Sequence, residues 1–249
     1  MIHEELADVG PVDVVAVGAH PDDVEVACGG TLAGLVRDGY RVAIVDLTDG
    51  FPTPNCPDRD TRMAECQAAG DALGVQVRVQ VGLPNRRLMD GFEPRLALAR
   101  WLRRLRPAVV IGFGERTPMH SPDHWQAVQI TDAAIFYSRL SRWEEHFVDP
   151  PHTVSRHLYH RNALEPELME GSRHHIAVDI TETIDAKLAS IAAYWTQFDH
   201  KPNFIERVRA AAVTGGTLSG VPFAETFVPA RPTATRHLMR TLGLDGGSG

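Results

Sequence analysis

Short apolar runs alternate with helical stretches along the first two thirds of this chain. Val12 to Val17 is rich in β-branched residues and reads as a strand buried on both faces. After His20 to Asp23, Gly29-Gly30-Thr31 opens a helix to about Asp38, with Gly39 as its stop. Arg41 to Leu47 is a second buried strand, ending in the turn signal Thr48-Asp49-Gly50, and the proline-containing stretch 51–60 is a loop. Thr61 to Leu73 reads as a helix capped by Thr61 and stopped by Gly74, and Val75 to Val81 as a third strand. Glu93 to Leu105 carries Leu96, Ala99, Trp101, Leu102 and Leu105 at helical spacing. A fourth strand, Ala108 to Phe113, and a helix from about Asp123 to Leu140 follow. Strand–helix alternation repeated four times predicts an α/β fold: a parallel sheet with helices on both faces and right-handed crossovers.

The pattern changes near 141 and predicts an elaborated C-terminal third. Arg156 to His160 and His175 to Ile180 read as strands, and Thr181 to Phe198 as one long helix with Thr181 as its cap. Asn203 to Val213 reads as a second helix, broken by Gly215-Gly216, and Phe223 to Val228 as a last strand. No linker or internal repeat divides the chain, so residues 1–249 read as a single domain, with its core at about 12–232 and a disordered tail at 242–249.

Composition narrows the function class. The formal charge of −7 argues against a nonspecific nucleic-acid binder, which needs basic stripes. No run reaches the roughly 20 apolar residues of a membrane span, and the acidic Met1-Ile2-His3-Glu4-Glu5 start has no signal-peptide character. Three cysteines leave one unpaired in any disulfide scheme, which favours a reducing, cytoplasmic compartment.

Candidate chemistry sits at two strand ends. Ala19-His20-Pro21-Asp22-Asp23 follows the first strand, and His120-Ser121-Pro122-Asp123-His124 follows the fourth. Either motif alone is often a turn or a helix cap. A parallel sheet, however, brings such loops to one edge, where the two clusters can supply three metal ligands, for example His20, Asp23 and His124. Three nitrogen and oxygen ligands leave a fourth position for water, the arrangement of a catalytic zinc; iron(II) or cobalt accepts similar ligands. Of the adjacent Asp22 and Asp23, one can bind the metal while the other takes a proton from the water. Arg62 and Arg116 are candidates for an anionic part of the substrate. Trp101 and Trp195 fit apolar helical patterns and read as core.

His20-Pro21-Asp22-Asp23-Val24-Glu25 with Gly29-Gly30-Thr31-Leu32, and Pro122-Asp123-His124, resemble the metal motifs of the LmbE/PIG-L-like zinc deacetylases. The resemblance extends to Thr61-Arg62-x-x-Glu65, Asn85-Arg86, Ala193-Tyr194-x-x-Gln197-Phe198 and Gly220-Val221-Pro222-Phe223-Ala224-Glu225; these later motifs most resemble the bacillithiol-biosynthesis branch. It implies a Rossmann-like fold, one zinc ion per chain, and removal of the acetyl group from a GlcNAc-containing glycoside or conjugate. By the match, His20, Asp23 and His124 are the zinc ligands and Asp22 the general base. Asp123 matches the residue that orients and charges a histidine, which stabilises the oxyanion and protonates the leaving amine.

The family pattern there is His-Pro-Asp-His, whereas Ser121 precedes Pro122 here and His120 stands one place earlier. His120 serves if the loop absorbs that residue; otherwise the role is lost or another donor takes it. Phe223 stands where relatives often carry tyrosine. The expected partners are a small amino-sugar substrate and further copies of the chain in a homo-oligomer, with no nucleic acid and no membrane insertion. The alternatives are a related zinc amidase acting on a larger acyl or thiol-conjugate amide and a non-catalytic sugar-binding relative. A nucleotide-binding module is disfavoured because no Gly-x-Gly-x-x-Gly follows the first strand.

Overall fold

The apolar runs become neighbouring strands of one sheet. In the computed structural model, which describes residues 2–3, 9–116, 120–160 and 175–234, the four expected strands are β2 (Val14–Gly18), β3 (Val42–Asp46), β4 (Val77–Gln80) and β5 (Val109–Phe113). Two further strands, β1 (Ile2–His3) and β6 (Arg156–His160), complete a parallel set in the order β1-β4-β3-β2-β5-β6. The two-residue β1 was not expected from the sequence. Beyond β6 the sheet ends antiparallel, with β8 (Ala224–Pro229) between β6 and β7 (Ile176–Asp179). The 242–249 tail lies outside the described residues.

Alternate residues of the central strands feed two cores. Val15, Val17, Ala43, Val45 and Val110 pack under α3 (Phe92–Leu105) and α4 (Pro122–Ser138). Val14, Ala16, Val42, Ile44 and Ile111 pack under α1 (Asp23–Arg37) and Leu73 of α2 (Arg59–Leu73). Double burial explains why these strands read as unbroken apolar runs. A third cluster joins α2 to α5 (Ile184–Ala192), α6 (Trp195–Phe198) and α7 (Phe204–Ser219), which form an outer layer over α2.

Several helix ends differ from the sequence reading, each for a local reason. α1 starts at Asp23, not at Gly29, but it breaks at Cys28 (φ −142°, ψ 18°) and restarts there. The amides freed by the break, Gly30 N and Thr31 N, donate to the two carboxylate oxygens of Glu225 in β8 at 3.0 and 2.7 Å. The second half of α1 is thus capped by a residue almost 200 positions away. Gly30 is needed for a different purpose: a Cβ there would come within 2.8 Å of Ile180. α2 begins two residues before Thr61 and is capped by Asp58, whose side chain accepts from Thr61 N. The expected long helix is two, α5 and α6, interrupted at Ala193 and Tyr194. Thr181 does not cap it; its amide and hydroxyl donate to Asp179, while Thr183 donates to Gly30 O. α7 runs through Gly215-Gly216 to a left-handed Gly220. A Cβ on Gly216 would lie 2.5 Å from Val221 O, so that glycine permits close approach and does not end the helix. Trp101 is core as expected, but Trp195 is 52% exposed.

Glu225 also receives Lys187 Nζ at 2.5 Å, and Lys187 donates on to Val26 O. Both side chains are buried, so removing the acid strands an ammonium and two amides away from water. Glu225→Ala is expected to lower unfolding free energy by about 3–5 kcal/mol, measured by denaturant titration. A loss under about 1 kcal/mol, the worth of one ordinary hydrogen bond, would show that the pair is dispensable.

Candidate metal centre

The sheet order reverses between β2 and β5, whose following helices α1 and α4 cover opposite faces. A crevice opens at that point, beyond the carboxyl ends of the strands, and both His/Asp motifs fall in it. The first turn is held from β3: Thr48 N and Oγ1 both donate to Ala19 O. Within it, His20 N donates to Asp23 Oδ2 at 2.8 Å, and Asp22 adopts φ 107°, ψ −29°, a left-handed backbone rare outside glycine. The second turn is ordered by Ser121, whose hydroxyl caps α4 by accepting from Asp123 N. Asp123 and His124 are then fixed in the first turn of the helix, and the His124 ring stacks on Phe113 at 4.7 Å.

One ligand atom each from His20, Asp23 and His124 lies within 4.8 Å of the others. Asp23 bridges the two imidazoles, with Oδ2 3.3 Å from His20 Nδ1 and Oδ1 3.2 Å from His124 Nε2. His124 Nδ1 is buried with no hydrogen-bond partner among the described residues. Two imidazoles and a carboxylate whose ligand atoms converge fit a divalent metal.

The electrostatics follow from burial and pairing. Burial works against the Asp23 carboxylate, but the charge and hydrogen bond of His124, with those of His20, hold it well below the usual carboxylate range. Burial alone would lower His20; its hydrogen bonds to the carboxylates of Asp123 and Asp23, with their charge, outweigh it and push His20 up to about 10. His124 is raised against its own burial by the charge of Asp23. Asp22 is raised by burial, opposed by the Arg62 guanidinium.

The remaining expected residues separate into two groups. A cavity of about 380 Å³ contains His20, Asp22, Asp23, Arg62, His120, Ser121 and His124 in its wall. The ring of His120 is 6.1 Å from that of His124. Asp123 is buried just behind, and its histidine partner is His20: Oδ2 lies 3.2 Å from His20 Nε2 and also accepts from Arg86 N, while Oδ1 accepts from Leu88 N. Arg62 is 1% exposed and points at Asp22. Arg116 is exposed and outside the cavity wall, and Phe223 packs in the outer-layer core.

The cavity wall also contains residues that the sequence reading did not single out as site residues. His160, at the end of β6, pairs in register with Phe113 and meets its ring edge at 4.6 Å. Spacing alone could not find it; the signal was its place at the carboxyl end of the strand that neighbours β5. Phe198 and Phe204 stack at 4.2 Å on the outer side, with Lys201 Nζ above both rings.

Comparisons with known proteins agree with this geometry. The family model described as GlcNAc-PI de-N-acetylase (PIG-L) matches residues 15–135, from β2 to α4, and so takes in both motifs. A 1D-myo-inositol 2-acetamido-2-deoxy-alpha-D-glucopyranoside deacetylase of Nakamurella multipartita is 27% identical, over 96% of this chain and 98% of its own. A diacetylchitobiose deacetylase of Thermococcus kodakarensis is 25% identical, over 92% and 86%. The crystal structure of a conserved protein from Thermus thermophilus superposes with a TM-score of 0.79 at 32% identity, covering 90% of this chain and 97% of that one. Both motifs, the crevice that joins them and relatives matched over nearly their whole length establish that the chain belongs to the PIG-L (LmbE-like) family, whose named members here are deacetylases.

Proposed function

We propose that this protein is a zinc-dependent N-deacetylase that releases acetate from a GlcNAc-containing glycoside or conjugate. The observation that carries the proposal is the convergence of His20, Asp23 and His124 within 4.8 Å, with Asp22 beside them in the same cavity. The relatives' activity on N-acetylated amino sugars supports the substrate class. His20, Asp23 and His124 would hold the metal, which when bound supplies Lewis-acid polarisation and brings the pKa of water down to about 7.

Around that centre the chain supplies the rest of the chemistry. Asp22 takes the proton of the attacking water. An imidazole in the wall donates to the amide oxygen and then to the departing amine, so that water and amide become acetate and free amine. His120 is the first candidate for that donor, by its place near His124; His160, on the β6 side of the cavity, is the second. Asp123, through its bond to His20, holds a metal ligand in its tautomer and direction. One sheet with strands from both ends of the chain supports a single-domain reading, and the odd cysteine count supports a cytoplasmic one.

Alanine at His20, Asp23 or His124 is expected to abolish stoichiometric zinc, read by elemental analysis. Chelation of the wild type should stop acetate release, and added zinc should restore it. Full metal in all three variants would remove the ligand assignment.

Asp22→Asn should keep its zinc and lose about 100- to 10,000-fold in kcat, the usual worth of a general base. Near-normal turnover on a GlcNAc conjugate would exclude it as base. Run beside it, His120→Ala and His160→Ala identify the donor by which variant slows acetate release.

Asp123→Asn is expected to weaken zinc affinity about 10- to 100-fold, measured by competition with a chromophoric chelator. Unchanged affinity with a lost rate would return Asp123 to charging a separate histidine.

A further inference from the structure

Arg116 lies outside the cavity wall, but two other cations lie in it: Arg86, in the turn after β4, and Lys201, between α6 and α7. Arg86 is fixed through its backbone. Its amide donates at 2.7 Å to Asp123 Oδ2, the oxygen that also lies 3.2 Å from His20 Nε2, and Asn85 beside it donates to Pro52 O. Arg86 holds φ 63° without being glycine, a left-handed conformation that persists only where its surroundings enforce it and that gathers at functional sites. The Lys201 ammonium lies 4.9 and 5.4 Å from the ring centroids of Phe198 and Phe204, so its charge is held over two rings that themselves line the cavity. Among the described residues, neither cation is paired with a carboxylate.

The two cations enter the wall from different layers. Arg86 is anchored on α4, which covers one face of the sheet, and Lys201 belongs to the outer layer over α2, on the other. Their charge also runs against that of the chain, whose formal net charge is −7. Among the described residues, the acids of the wall are Asp22 and Asp23, at the metal motif, where Arg62, His20 and His124 already face them. With an acetamido group at the metal, the rest of a conjugate has to lie along the remainder of the wall, where the charged groups are positive. Unpaired cations there suit a ligand that brings the anion itself.

We infer that the substrate carries, beyond its GlcNAc unit, an anionic group received by Arg86 and Lys201. The group is a carboxylate or a phosphate: a guanidinium fork takes two oxygens side by side, and an ammonium adds a point charge. The inference rests on the proposed deacetylation at this metal centre. Both cations select the substrate and take no part in the bond-making steps.

Four conjugates test it on the zinc-loaded enzyme, each with GlcNAc joined through the same short chain to a methyl, carboxylate, phosphate or trimethylammonium group. At least one anionic conjugate should exceed the methyl one in kcat/KM by about tenfold, carried by KM, the scale of a hydrogen bond to a charged group. The larger ratio tells carboxylate from phosphate. Arg86→Gln and Lys201→Gln should each reduce that ratio, and the double variant should bring it close to one; both side chains are exposed, so these variants should keep the fold. Lys201→Glu should turn the preference toward the ammonium conjugate, and high salt should erode the preference for the anion. Equal kcat/KM for the methyl and both anionic conjugates, or a preference that survives in the double variant, would overturn the inference. If no conjugate releases acetate, the deacetylase reading fails by itself. Calorimetric binding of the same conjugates then decides this one: an anionic conjugate should bind about tenfold tighter than the methyl one, and equal Kd values would refute it.

Discussion

The constraint on which the site depends is charge balance in a largely buried crevice. Six carboxyl groups crowd the ground beneath and around the metal motifs: Asp22, Asp23, Glu25, Asp46, Glu65 and Asp123. Among the described residues, the guanidiniums shown reaching them are Arg62 and Arg78. Arg78 is shared between Glu25, at 2.6 Å, and Asp46, at 2.8 and 3.1 Å, while Arg62 is shared between Asp22 and Glu65. Burial pushes Asp46 up to about 6 even though Arg78 opposes the shift. A buried anion must be paired or protonated. In the lower layer two arginines face four acids, so burial still raises Asp22 and Asp46, and the upper layer, Asp23 with Asp123, holds His20 and His124 toward their charged forms. A divalent cation at His20, Asp23 and His124 would supply that positive charge instead and release the protons.

This balance ties the fold to the chemistry. Glu25 lies on the α1 turn just after the motif, Arg78 and Asp46 on adjacent strands, Arg62 and Glu65 on α2, and Tyr194 and Thr196 at the α5–α6 junction. The C-terminal third therefore does more than cover the sheet. Its Thr196 orders Glu65 behind Arg62, and its Glu225 caps the broken α1 only a few residues after Asp23. Both contacts keep the turn that carries His20 and Asp22 from shifting against the strand ends.

The parallel core and the place of the site were legible because both depend on local signals. Doubly buried strands leave apolar runs, and a strand end followed by His and Asp marks the open edge of such a sheet. What was not legible depends on distant partners. The kink at Cys28 is stabilised by Glu225, so no window of neighbouring residues reveals it. Gly215-Gly216 looks like a helix stop, yet the backbone of Ala224 passes so close to Gly215, and that of Val221 and Pro222 to Gly216, that only glycine fits. Arg62 reads as a surface cation on a helix until the fold surrounds it with Asp22, Glu65 and Tyr194.

Ser121 illustrates how one position serves local structure and chemistry at once. It is the N-cap of α4, where a hydroxyl accepting an amide proton is worth about 1 kcal/mol. That helix start sets Asp123 against His20 and His124 against Asp23, so the cap acts on two members of the site. An imidazole at the same position could donate to substrate, but it is a poorer cap. With serine there, the donor of the proposed reaction would come from a neighbouring element. His120 reaches the cavity from before the cap and His160 from β6, next to Phe113 on which His124 stacks. A donor on β6 is fixed by strand register, and one at 120 by a loop, so which of the two is used decides how rigidly the oxyanion partner is held.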